Sequence, residues 1–271
     1  MKFRFSSFVL LVIAILILNP FDAAARRKSR RQRMVEVSVV EPDLLAQKAR
    51  QEGCAIETES VDLNQVLKRN SRYREGIDVS HYQGRIDWDQ VAGSEKICYV
   101  YLKATEGATY VDDTYQRNLR EVKRVGLCVG SYHFYRPNVN WREQLKNLTE
   151  NVKLKEQDLV PIIDIEHRGR VSESKFIRDL KVFVEHVEHF YGKKPLLYSY
   201  QNFYNRYLKG HFPDHHWMIA KYQDDKPVLH DGKEYGVWQY TQSGTMPGVR
   251  GGVDRSCLMD GFELYQLQML D

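Results

Sequence analysis

The sequence predicts an α/β protein, a barrel of parallel strands with fewer helices than strands. Three observations carry this. From residue 75 to about 208, short apolar runs alternate with segments of helical spacing, the pattern of successive βα units. One run, Leu159-Val160-Pro161-Ile162-Ile163-Asp164-Ile165-Glu166-His167, reads as a strand covered on both faces that ends in acid. After Leu208 helical segments become scarce while strand-like runs continue, so the barrel is incomplete in helices.

Taken in order, residues 76–80 are a short strand carrying Asp78 near its end, and a short helix begins at 86–88. Residues 97–104 are a strand followed by Thr105-Glu106-Gly107. Residues 112–125 have helical spacing; Asp112 and Asp113 favour its start and Gly126 its stop. A strand at 127–135 and a helix at 141–155 precede the acid-tipped strand. A long helix opens at Ser172 with Glu173 in its first turn and ends at Gly192. Residues 195–200 are a strand and 202–208 a helix; 217–222, 236–241 and 251–254 are three further strands.

Residues 1–25 read as an export signal: Lys2 and Arg4, an apolar core at 8–18, Pro20, and an A-x-A cleavage site at Ala23-Ala24-Ala25. The core is short for a spanning helix. Six positive charges follow at 26–33; such a run hinders translocation, which keeps an uncleaved anchor over residues 7–25 as the alternative. The run suits anionic envelope surfaces or a solvated tail. Residues 34–72 are a polar extension with short helices at 44–52 and 62–69.

The net charge of +4 comes from this leader. Residues 1–33 hold eight Lys/Arg and one acid, leaving 32 bases against 35 acids in the rest. The body is therefore not a basic nucleic-acid binder; nucleic-acid binding would rest on residues 26–33 alone. Cys54, Cys98, Cys128 and Cys257 form no C-x-x-C pair, which argues against zinc. Cys98 and Cys128 read as buried thiols; a Cys54–Cys257 bridge stays open.

Side chains alternate along a strand, so Asp164 and Glu166 face one way and Ile165 the other. Burial and like charge both oppose ionising the two acids together, so one stays protonated near neutral pH beside an ionised neighbour. A glycosidase needs that arrangement; a strand end whose acids simply meet solvent is the plain alternative. Asp78 ends the first strand and Asp254 the last. In a closed barrel these strands are neighbours, so the four acids gather on the C-terminal face, where barrel active sites lie. Aromatic and amide groups share these ends: Tyr132, His133 and Tyr135, Tyr198 and Tyr200, Trp217 and Tyr222, Trp238, Gln239 and Tyr240. Glu106 faces substrate, or pairs with Lys103 or a neighbouring backbone amide. His211, His215 and His216 lack a further ligand at metal spacing, and His186 and His189 form a polar helix face.

The motifs Gly76-Ile77-Asp78-Val79-Ser80-His81-Tyr82-Gln83-Gly84, Leu102-Lys103-Ala104-Thr105-Glu106-Gly107, Gly130-Ser131-Tyr132-His133-Phe134, Asp164-Ile165-Glu166, Trp217-Met218-Ile219-Ala220 and Trp238-Gln239-Tyr240-Thr241, closing on Val253-Asp254, occur in this order. Together they resemble glycoside hydrolase family 25, the Chalaropsis-type lysozymes, from about residue 75 to about 258. The resemblance implies an irregular (β/α) barrel with eight strands and fewer than eight helices. It implies a metal-free and cofactor-free N-acetylmuramidase that cuts the β-1,4 bond between N-acetylmuramic acid and N-acetylglucosamine in peptidoglycan. Glu166 is then the general acid/base, and Asp164 the nucleophile or the anion that orients the substrate's N-acetyl group. Asp78 and Asp254 are supporting acids; Tyr132, Tyr198, Trp217 and Gln239 are sugar contacts. One departure is local: Asn is expected two residues after the last-strand acid, and Arg255-Ser256 follows here. The expected whole is an exported monomer, barrel over 73–271, acting on glycan strands; a non-hydrolytic peptidoglycan-binding envelope protein is the alternative.

Overall fold

The computed structural model describes residues 74–94 and 96–269. The expectations for the export signal, the basic run, the 34–72 extension and Cys54 lie outside the described residues.

Strands β1 (Glu75–Val79), β2 (Ile97–Glu106), β4 (Cys128–Phe134), β5 (Ile162–Asp164), β6 (Leu196–Tyr200), β7 (Trp217–Ala220) and β8 (Val237–Gly244) run parallel in that order. The last strand, β9 (Val253–Leu258), pairs antiparallel with both β8 and β1, and the β1–β2 ladder closes the ring. The result is an eight-stranded barrel. A two-residue β3 (Tyr110–Val111) hooks antiparallel onto β2; it was not expected.

Five helices occur among the described residues: α1 (Trp88–Gly93), α2 (Tyr115–Arg124), α3 (Trp141–Asn151), α4 (Glu173–Tyr191) and α5 (Gln201–Phe203), which runs on as a π turn at Tyr204–Leu208. Their ends obey capping chemistry. Asp87, Asn140 and Ser172 accept a backbone N–H at the starts of α1, α3 and α4, and Gly192 closes α4 at φ 76°. The helix expected over 112–125 starts later, at Tyr115, because Asp112 is used otherwise: Oδ1 accepts the N–H and hydroxyl of Thr114 and Oδ2 binds His81.

Strand alternation divides the core in two. Ile77, Val79, Val100, Leu102, Val129, Ile163, Ile165, Leu197 and Ile219 face outward and pack on helix residues such as Val91, Leu119, Leu148 and Phe183. Tyr99, Tyr101, Ile162, Leu196, Met218 and Val237 fill the inside. Tyr99 and Tyr101 are fully buried. Tyr99 shares a hydrogen bond with Ser256 Oγ at 2.8 Å, and the Tyr101 hydroxyl donates to Val160 O at 3.2 Å. The rings lie where Gly76 and Gly130 leave room; a Cβ on either glycine would overlap them. This tyrosine layer floors the open end of the barrel. Gly130→Ala should therefore cost about 1–3 kcal/mol of overpacking strain, seen as a lower midpoint of chemical unfolding.

Candidate active site

At the end of the barrel where the parallel strands finish lies a cleft of about 230 Å³. Its wall is drawn from the inward set of successive strands: Asp78 on β1, Lys103 on β2, Tyr132 and Phe134 on β4, Asp164 on β5 with Glu166 just beyond, Tyr198 and Tyr200 on β6, Met218 on β7, Gln239 on β8 and Asp254 on β9. All four sequence-predicted acids meet here. Asp254 reaches the rim by a different route from the one expected. It sits at the start of β9, not at a C-terminal end, and because β9 runs antiparallel its start lies at the same mouth, directly opposite Asp78 in the ladder.

Gln239 ties the cleft together. The hydroxyls of Tyr198 and Tyr222 donate to its Oε1 at 2.9 and 2.8 Å, and its Nε2 donates to Asp78 Oδ2 at 2.9 Å. Oδ1 of Asp78 and Oδ1 of Asp164 are buried with no hydrogen-bond partner among the described residues. A buried carboxylate without donors is disfavoured as an anion. Burial, then repulsion from Asp254, pushes Asp78 up to about 8 despite the Gln239 bond. Burial and the neighbouring Glu166 hold Asp164 well above the usual carboxylate range. Burial raises Glu166 to about 7, against the pull of Lys103, and Asp254 to about 6.

Lys103 is the basic side chain in the wall. Its Nζ lies 2.7 Å from Glu106 Oε2 and over the rings of Phe134 and Tyr110 at 5.3 and 5.4 Å. Glu106 also pairs with Arg136, whose Nη1 meets His167 Nε2 at 3.0 Å. Although partial burial opposes it, the two cations bring Glu106 below its ordinary range. Of its expected roles, Glu106 therefore takes the ion pair and stands outside the cleft wall.

Tyr132, Tyr198 and Gln239 line the cleft, as expected of sugar contacts, but Trp217 does not. It is fully buried on the outer face of β7, packed edge-on against Tyr204 and Phe212. The reason is parity: Met218, its neighbour, takes the inward position, so Trp217 must point at the helix layer. His133 and Tyr135 also point outward. His133 contacts Thr105 at 2.8 Å and Gln144 at 3.3 Å, with burial holding it down to about 4, and Tyr135 packs on Phe183. Trp238 and Tyr240 border a separate open groove that shares Tyr222 with the cleft. Sequence reasoning missed Lys103, Tyr82, Gln83, Phe134 and Met218 as wall residues. Strand parity counted from Asp78 and Asp164 was a signal able to find the strand-borne ones.

No group of three or more His, Cys, Asp or Glu among the described residues is arranged to hold a metal. His215 is instead pushed down to about 4 by burial, and His186 bonds Val182 O and stacks near Trp141. Cys98 and Cys128 are buried and form no disulfide among the described residues. At the local departure, Ser256 holds Tyr99, while Arg255 pairs with Glu75.

A barrel whose mouth gathers proton-retaining acids among tyrosines and amides is the architecture of a glycosidase. The comparisons agree. The sequence profile described as Glycosyl hydrolases family 25 matches residues 77–249, and the chain belongs to that family. It is similar to YegX of Escherichia coli K12, 34% identical over 183 residues that span 66% of this chain and 67% of that one. It is also similar to an autolytic lysozyme of Clostridium acetobutylicum, 31% identical over 69% of this chain and 56% of the relative. A solved family 25 glycosyl hydrolase from Bacillus anthracis superposes with a TM-score of 0.66 at 29% identity, over 73% of this chain and 94% of that one.

The raised acids set a sign for stability. Unfolded, these carboxyls ionise near pH 4; folded, Asp254, Glu166 and Asp78 keep their protons to about 6, 7 and 8. Between those limits the native state binds more protons than the unfolded one, so stability falls as pH rises through the window. Asp78→Asn keeps an acceptor for Gln239 and removes one of these protons. It should flatten the fall of the melting temperature between about pH 4 and pH 8, measured by thermal unfolding at stepped pH.

Proposed function

We propose that this glycosidase is a lysozyme-type N-acetylmuramidase, cleaving the β-1,4 bond between N-acetylmuramic acid and N-acetylglucosamine in peptidoglycan. The observation that carries the reading is the Asp164–Glu166 pair in the cleft wall, both acids holding protons above their ordinary range. The autolytic lysozyme among the similar proteins supports the substrate.

Glu166 is half-buried and faces the cleft, whereas Asp164 is only 7% exposed. Glu166 is the general acid: its proton passes to the glycosidic oxygen as the bond from that oxygen to the sugar's anomeric carbon breaks. The pair loses protons in two linked steps, so near neutrality one proton and one charge coexist. Burial in the empty cleft favours the proton on Asp164, so the reaction requires it to sit on Glu166 once substrate fills the cleft; the anion left on Asp164 then meets the oxocarbenium-like centre either by bonding to the anomeric carbon or by aligning the substrate's own 2-acetamido carbonyl to do so. Water then adds at that carbon, breaking its bond to Asp164 or to the acetamido oxygen, and gives up a proton to Glu166, which restores the acid. Asp78 and Asp254 keep the mouth poor in mobile charge, with Gln239 holding Asp78 in place. Tyr132, Tyr198 and Gln239 contact sugar. No metal or cofactor enters these steps.

The same reading places the protein in the periplasm, cell envelope or outside the cell, delivered by residues 1–25 or anchored by 7–25, with residues 26–33 resting on anionic envelope surfaces. It acts as a monomer on glycan strands, not on nucleic acid, with the barrel of 73–271 as its catalytic domain.

The full-length protein should release fragments from peptidoglycan that end in reducing N-acetylmuramic acid, identified by mass spectrometry. Sedimentation with cell walls without such fragments would sink the reading. Glu166→Gln should lower the rate about 10²- to 10⁴-fold with an unchanged circular dichroism spectrum.

Because the acid must arrive protonated, activity should decline as pH rises through about 7. Lys103 favours ionised Glu166, so Lys103→Met should move that alkaline limb to higher pH. A limb that stays in place would separate Lys103 from the proton donor.

A further inference from the structure

Hydrogen bonds hold every residue of the turn after β1, Tyr82 through its backbone. Ser80 Oγ accepts the Tyr82 N–H at 3.3 Å, and Gln83 Oε1 reaches back to the Ser80 N–H at 2.9 Å, completing a capping box. The His81 N–H and ring Nδ1 both meet Asp112 Oδ2, at 3.0 and 2.8 Å. Gln83 Nε2 donates to Gly252 O at 3.2 Å, clasping the turn to the chain ahead of β9, and Arg117 donates to Gly84 O at 2.8 Å. Gly84 sits at φ 61°, where a side chain is strained.

The Tyr82 ring alone is left out. It is 82% exposed, lies against the His81 ring at a centroid distance of 4.1 Å, and belongs to the cleft wall beside Asp78, Ser80 and Gln83. A single exposed aromatic is ordinary on a protein surface. A rigid turn that spends its hydrogen bonds holding one bare ring at the mouth of a polar cleft is preorganised for a flat, partly apolar ligand. The ring's free face matches the C–H face of a pyranose, and the hydroxyls and amides along the wall match its edge.

We propose that Tyr82 is a saccharide-stacking platform, holding an N-acetylhexosamine ring of the glycan strand adjacent to the bond that is cut. This rests on the muramidase reading for the identity of the strand. Tyr82 touches no reacting atom, so it contributes binding shared by ground and transition states.

The test separates this inference from that reading. Affinity for stem-free glycan strands is measured by titration with the full-length Glu166→Gln protein, with and without Tyr82→Ala; no turnover is needed. Loss of the ring should weaken binding about ten-fold, and Tyr82→Phe or Tyr82→Trp should restore it. In the catalytically intact chain Tyr82→Ala should raise KM and leave kcat nearly unchanged. Equal affinity in both proteins, no binding in either, or a loss seen only with strands that carry peptide stems would overturn the platform. Failure of the intact chain to release reducing sugars would instead count against the muramidase reading while the binding comparison still judged Tyr82.

Discussion

Four carboxylic acids share the mouth of one closed sheet, and the cost of charging them together governs the rest of the site. Asp78 and Asp254 are paired across the β1–β9 ladder, and Asp164 precedes Glu166 by one strand repeat. Water reaches them poorly, donors are few, and each added negative charge raises the cost of the next. The fold answers with one cation in the wall, Lys103, itself shared with Glu106. The balance leaves protons on acids that would lose them in water. Glycosidase chemistry draws on that reservoir, because a neutral carboxylic acid at neutral pH is a donor that solvent would not maintain.

The barrel beneath makes the crowding possible. Hydrogen bonding closes the ring, so no strand edge is left open between β1 and β2. The parity of each strand then sends one residue in two to the inside. Lower down those positions hold Tyr99, Tyr101, Leu196 and Val237, which exclude water; higher up they hold acids, Gln239 and Tyr198. One periodicity thus builds an apolar floor and a polar rim from the same strands.

Much of this was legible in the sequence. Alternating apolar runs and helical spacings located the eight barrel strands in order, and Ser172 and Gly192 marked the ends of the longest helix because capping is local chemistry. The acids were legible because an ionisable group ending an apolar run is conspicuous. Orientation was harder. Trp217 looked like a sugar contact by residue type, yet Met218 holds the inward place. The direction of β9 was missed although residues 245–252 leave no room for the crossover a parallel strand needs. Lys103 lay inside a recognised motif, but its importance comes from neighbours on β4 and the β5 end that a linear reading does not bring together.

The bridging amide of Gln239 has a further consequence. A neutral phenol can donate or accept; here the hydroxyls of Tyr198 and Tyr222 both donate to the carbonyl end, and the amino end donates to Asp78. The side chain works as a rectifier: it passes polarity from the aromatic wall to the acid and not back. A glutamate of the same length would accept from either side and lose that asymmetry. A barrel built from repeating strands acquires, at this one position, a built-in arrow.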